Sequence, residues 1–99
     1  MAMAESRPVL WTSPALADLI EIREWVERDS PEVARRLAAK IRDRVNDLAA
    51  FPSSGRIVPE IGIERYREVI VRPYRVIYEI REKDLVILRV RHSRRDLPE

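Results

Sequence analysis

The sequence predicts an α+β fold: a short N-terminal strand, an antiparallel two-helix hairpin, then a three-stranded antiparallel meander. Three observations carry that reading. Ser13-Pro14 and Ser30-Pro31 each open a stretch whose apolar residues recur at helical spacing. Beyond residue 65 the period changes to two, and Val, Ile and Tyr become frequent, as they are in strands. The 99 residues suffice for one hydrophobic core and not for two. Residues 7–99 are therefore expected to form a single domain behind a disordered start at residues 1–6.

Val9-Leu10-Trp11 is an apolar run that ends at Thr12-Ser13-Pro14, where Ser13 is suited to cap a helix and Pro14 to its first turn. From Pro14 to Asp29 the apolar positions Leu16, Leu19, Ile22 and Val26, flanked by Ile20 and Trp25, form a face. Asp18, Glu21, Glu24 and Glu27 take the remaining surface. The second helix aligns Ala34, Leu37, Ile41, Val45 and Leu48 before Phe51-Pro52 ends it. So little chain separates the helices that they must fold back on each other. Both Trp11 and Trp25 are assigned to the core.

Ser53-Ser54-Gly55 reads as a turn, and residues 56–64 as an irregular connection interrupted by Pro59 and Gly62. The meander strands are Tyr66–Arg72, Tyr74–Arg81 and Leu85–His92, divided by Pro73 and by Glu82-Lys83-Asp84. By alternation Tyr74, Val76, Tyr78 and Ile80 share a face, as do Val86, Leu88, Val90 and His92 in the last strand. Arg75, Arg89 and Arg91 fall on the opposite parity. One face is thus apolar and receives the hairpin, and the other carries an arginine cluster. The outer strands of such a meander offer unpaired backbone groups to an incoming strand.

Composition removes most functional classes. There is no cysteine, so disulfides, thiolate catalysis and Cys-based zinc sites are excluded. The single histidine cannot build a His-rich metal centre, the two glycines cannot form a phosphate loop, and no serine sits in a nucleophile elbow. No cofactor and no metal is expected. No apolar run approaches the ~18–20 residues that span a bilayer, and the first residues lack a signal-peptide pattern. A reducing compartment and no membrane span follow as the expectation.

The net charge of +2 conceals an asymmetry. Residues 1–63 carry nine basic and ten acidic side chains, whereas residues 64–99 carry ten basic and seven acidic. All but two of the 19 basic residues are arginine, the side chain that grips carboxylate or phosphate groups in pairs of hydrogen bonds. The constellation Arg67, Arg75, Arg89, Arg91, His92, Arg94 and Arg95 lies on or beside the sheet. Such a cluster can hold phosphates, with His92 as proton donor or acceptor. It is equally what a solvated strand surface looks like. His92 shares the parity of core residues, and Arg75 can be satisfied across strands by Glu68 or Glu79.

The order of elements and several local strings together resemble the RelE/ParE superfamily of toxins from bacterial type II toxin–antitoxin systems. The strings are Trp11, Ser13-Pro14-Ala15-x-x-Asp18-Leu19, Ser30-Pro31-x-x-Ala34, Phe51-Pro52-x-x-Gly55, Arg67-Glu68, Tyr74-Arg75-Val76-Ile77-Tyr78 and Val90-x-His92-x-Arg94-Arg95. The resemblance implies a cytoplasmic growth inhibitor held inactive by a ParD-like antitoxin with a ribbon-helix-helix domain, operator DNA being reached only through that antitoxin. It also implies one of two targets. RelE-like members cut mRNA in the ribosomal A site without a metal, and ParE-like members inhibit DNA gyrase.

On the RelE pattern Arg67, Arg75 and Arg94 match active-site positions, and with His92 as the remaining proton-transfer candidate they make the catalytic set expected of a ribonuclease; Arg89, Arg91, Arg94 and Arg95 are expected to contact the target. Two departures favour the ParE-like branch. Val69 stands where the nucleases carry a second active-site lysine, and Asp96-Leu97-Pro98-Glu99 contains no tyrosine. A ribosome-dependent endoribonuclease is the alternative. A non-catalytic nucleic-acid-binding module, or a structural partner of another subunit, is the further one.

Overall fold

Each helix begins at its Ser-Pro signal, with one displacement. In the computed structural model, which describes residues 6–93, α1 spans Ser13–Glu27 and α2 spans Pro31–Ala50. Ser30 caps α2 by accepting from the Val33 N–H at 3.2 Å. For α1 the expected cap, Ser13, is already helical. Thr12 takes that role, its hydroxyl oxygen accepting from Ala15 N–H at 3.1 Å. The expected disordered start lies, apart from Ser6, outside the described residues.

The strands are β1 (Val9–Trp11), β2 (Arg56–Ile57), β3 (Tyr66–Val71), β4 (Tyr74–Ile80) and β5 (Leu85–His92). They form one sheet in the order β1-β5-β4-β3-β2, so the meander is the centre of a five-stranded sheet. β1 pairs with β5 in parallel, Val9 opposite Leu85. β2 pairs antiparallel with β3, Arg56 opposite Glu68. The stretch read as irregular from residue 56 therefore begins with two ladder residues, too short for any periodicity to mark. Both edges of the meander are in part covered. A cis Arg72-Pro73 bond lies in the tight reversal from β3 to β4.

The hairpin covers one face of the sheet. α2 buries Ala34, Ile41, Val45, Leu48 and Ala49, a stripe of helical spacing. Of these, Ile41, Val45 and Leu48 pack with Val69, Val71, Tyr74, Val76, Tyr78, Leu85, Ile87 and Val90. The contribution of α1 is lighter: Ala15 is buried, Leu19 and Ile22 pack partly, and Leu16, Ile20 and Trp25 are exposed. Trp25 is therefore not a core residue; at 57% exposure it stands on the outer side near the end of α1.

The alternation expected in β5 is broken once. Ile77 pairs with Arg89 but the next residue, Tyr78, pairs with Ile87, so Leu88 is an extra residue in a bulge. Leu85 and Ile87 thereby join Val90 and His92 on the helix-covered side, in place of Val86 and Leu88. The Thr12 hydroxyl donates to the Leu88 carbonyl at 2.9 Å, so one side chain both caps α1 and satisfies the bulge.

Candidate functional site

Beyond Trp11 the chain leaves β1 and enters α1, which runs beside the last residues of β5. Asp18, one turn into α1, accepts from Arg89 Nε at 2.8 Å and Nη2 at 2.9 Å, and from the Val90 backbone N–H at 2.9 Å. Burial pushes this carboxyl up, but the bonds from Arg89 and Val90 and the charges of Arg89 and Arg91 outweigh it, leaving the pKa below its ordinary value of 3.8. A groove of about 790 Å³ opens here, its walls including Asp18, Ile22, Trp25, Ser30, Arg91 and His92. His92 meets Tyr74 edge to face, with ring centroids 5.6 Å apart. Its lining mixes apolar side chains with charges of both signs, and the Arg28 guanidinium stands 5.4 Å over the Trp25 ring.

On the opposite face, Arg75 is buried at the start of β4. Its Nη1 and Nη2 donate to the two oxygens of Glu60 at 2.9 and 3.1 Å, a fork-to-fork pair. Nη2 also lies 2.6 Å from Glu68 Oε1, an ion contact whose angle is not that of a hydrogen bond. Glu68 Oε2 accepts from Arg56 Nε at 2.7 Å. Two carboxylates and two guanidiniums thus alternate in a neutral chain, Glu60, Arg75, Glu68, Arg56. The bonds from Arg75 hold the Glu60 carboxyl below its ordinary pKa.

A third neighbourhood ties β3 and β4 to the turn after α2. Tyr78 donates its hydroxyl hydrogen to the Pro52 carbonyl at 2.5 Å and accepts from Gly55 N–H at 3.1 Å. A Cβ on Gly55 would stand 2.4 Å from that hydroxyl and 2.8 Å from the Glu68 carbonyl oxygen, so no side chain fits. Arg67 donates to the carbonyls of Gly55 and Glu64, both at 3.0 Å. The Phe51-Pro52-x-x-Gly55 and Tyr74-Arg75-x-x-Tyr78 strings are therefore two halves of one contact.

The predicted site residues divide accordingly. Arg89, Arg91 and His92 come together at the groove. Arg75 and His92 do not: Tyr74, the cross-strand partner of His92, faces the helices, so its neighbour Arg75 faces away. Arg67 pairs with Tyr78 while His92 pairs with Tyr74, which separates them by about 13 Å along the strands. Arg94 and Arg95 lie outside the described residues. Among the described residues no cluster of His, Cys, Asp or Glu could hold a metal. Two partners went unread in the sequence. Asp18 stands within the Ser13-Pro14-Ala15-x-x-Asp18-Leu19 string and reads there as open surface. Glu60 carries no local signal, because its contact runs through a loop.

Comparison with known proteins places these features. A model of the family described as ParE toxin of type II toxin–antitoxin system, parDE, matches residues 9–97. Toxin RelE2 of Caulobacter vibrioides is 36% identical over 88% of this chain and 96% of its own length. A putative toxin, Y4kP, of Sinorhizobium fredii is 37% identical over 92% of this chain and 93% of its own. Toxin ParE3 of C. vibrioides is 31% identical over 90% and 89%. Among solved structures, a chain of the chromosomal ParDE toxin–antitoxin system from P. aeruginosa superposes with a TM-score of 0.71 at 26% identity, covering 88% of this chain and 96% of that one.

Proposed function

We propose that this chain, which belongs to the ParE toxin family of type II toxin–antitoxin systems, arrests growth in the cytoplasm by inhibiting DNA gyrase. The observation that carries the choice of target is the state of the arginines a nuclease would need. Metal-independent RNA cleavage requires positioned cations at the phosphate and a group to move the proton. Here Arg67 is spent on backbone carbonyls and Arg75 on two carboxylates. Val69, where the nucleases carry a lysine, is buried against the helices. His92, the remaining proton-transfer candidate, sits on the other side of the sheet from Arg75. Arg89 and Arg91, with Arg94 and Arg95 beyond them, are the target-contacting set.

A cognate ParD-like antitoxin is the partner, and it carries the operator-binding domain. The groove beside β5 suits a segment with apolar anchors and acids: β1 covers only Leu85–Ile87 of that strand, and the exposed face of α1 presents Leu16, Ile20 and Trp25. Purified protein tests the target directly. It is expected to block gyrase supercoiling, or trap the cleaved-DNA complex, and to leave mRNA on programmed ribosomes intact. Site-specific A-site cleavage, lost on Arg75→Ala or His92→Ala, would make the protein a ribonuclease instead.

A further inference from the structure

We propose that the groove beside β5 selects its occupant by the order of charges across it: the α1 wall takes lysine or arginine side chains, so the antitoxin segment carries bases facing α1 as well as acids facing β5. This deepens the toxin reading of the same groove and rests on that reading.

The groove is not simply basic. Asp18 and Arg89 satisfy each other through two hydrogen bonds and together contribute no net charge. Beyond them the α1 wall carries Glu21, Glu24 and Asp29, all exposed. Among the described residues none of these three has an ion-pair partner, although Glu27 on the same helix has Arg23 at 3.8 Å. The one base on that wall, Arg28, lies over the Trp25 ring and not beside Glu24, one turn before it.

Local helix chemistry does not account for the acids. The carbonyl end of a helix favours cations and disfavours carboxylates, yet the last turn of α1 contains Glu24 and Glu27 and no base. The charge of Glu24 is thus set against the helix that carries it, and a cation brought by a partner removes the conflict. Asp29 is a different case, since it precedes Ser30 at the start of α2, an end that favours negative charge. Glu21 and Glu24 are the discriminating pair. Three residues apart, they share a helix face about 4.5 Å apart along the axis, with the exposed Trp25 ring next to them as an apolar anchor.

The same charges decide the class of occupant. Among the described residues four acids and three arginines line the groove, so a nucleic acid would bring its phosphates against Glu21 and Glu24. A segment with acids alone would meet the same repulsion along α1. A polypeptide that alternates the signs suits both walls, and Ile22 and Trp25 offer it apolar contact.

The test uses the full chain with its cognate antitoxin and two variants that change net charge equally: Glu24→Lys in the groove and Glu82→Lys, exposed in the turn before β5. Glu24→Lys is expected to weaken the complex by roughly 10- to 100-fold, while Glu82→Lys stays within about threefold of the parent. The thermal midpoint of free Glu24→Lys should hold or rise, because a cation suits that helix end. Changing the antitoxin's lysines and arginines to Glu one at a time should find one that recovers most of the lost affinity for Glu24→Lys. Amides from Glu21 to Asp29 should be protected from hydrogen exchange in the complex. If Glu24→Lys binds as tightly as the parent, or if both variants lose affinity equally, charge order plays no part and the proposal is wrong. Protection of those amides by a second copy of the chain or by duplex DNA, and not by the antitoxin, would name another occupant and overturn it. A parent chain that binds no antitoxin and leaves growth untouched would remove the toxin reading itself, and this proposal with it.

Discussion

Single contacts separate what the residues announce from what the fold decides. Asp18 reads as surface on a helix, yet its side chain is only 13% exposed and it binds Arg89 and the Val90 N–H across 71 and 72 residues of chain. Alternation cannot reveal such a partner, because the helix end and the strand meet only after the sheet has formed. Its pKa is lowered in the fold, so the unfolded chain takes up the proton more readily. The stabilisation is therefore complete above the ordinary value of 3.8 and is lost as pH falls through the lower folded value. Asp18→Asn should cost about 1–2 kcal/mol at neutral pH, discounted because Arg89 is 42% exposed, and should flatten the acid limb of the stability curve. Denaturant titrations between neutral and acid pH read both effects. Gly55 is the opposite case: its motif was visible, and the reason is a close approach. Gly55→Ala should cost about 1–3 kcal/mol by forcing Tyr78 and the Glu68 carbonyl aside. An unchanged denaturation midpoint would show that the turn moves freely.

Elements were legible wherever a period ran long enough. Both helices and the three meander strands appear within a few residues of their predicted limits, since capping, proline placement and alternation act locally. What escaped detection was short or non-local. β2 has two residues, β1 finds its partner 76 positions away, and one bulge reverses the faces of the first half of β5. Thr12 joins those hidden features, capping α1 and holding the bulged Leu88 carbonyl with one hydroxyl. Thr12→Val keeps the shape and removes both bonds, so it should destabilise by about 1–2 kcal/mol, with Thr12→Ser close to the parent. Urea unfolding with an unchanged m-value checks this, and a variant as stable as the parent would mean that neither bond matters. Alternation puts Arg75, Arg89 and Arg91 on one face, and the register does set Arg75 opposite Arg91. What alternation cannot show is that Glu60 and Glu68 hold Arg75, while Arg89 and Arg91 also line the groove with His92.

For the whole molecule, the chain is a toxin of the ParE family of type II toxin–antitoxin systems, and the internal use of Arg67 and Arg75 is what supports the proposed target. The excess of basic side chains after residue 63 should steer an acidic antitoxin segment. The association rate of the pair is expected to fall as salt rises, and a rate indifferent to ionic strength would remove charge from the account. The most direct measurement of the central claim follows a reporter plasmid in a susceptible bacterium after the chain is induced, with mRNA 5′ ends mapped in the same culture. The plasmid should lose negative supercoils or accumulate breaks while A-site codons stay uncut, and co-expression of a cognate antitoxin should restore both topology and growth. Unchanged plasmid topology with mRNA cut at A-site codons would contradict it.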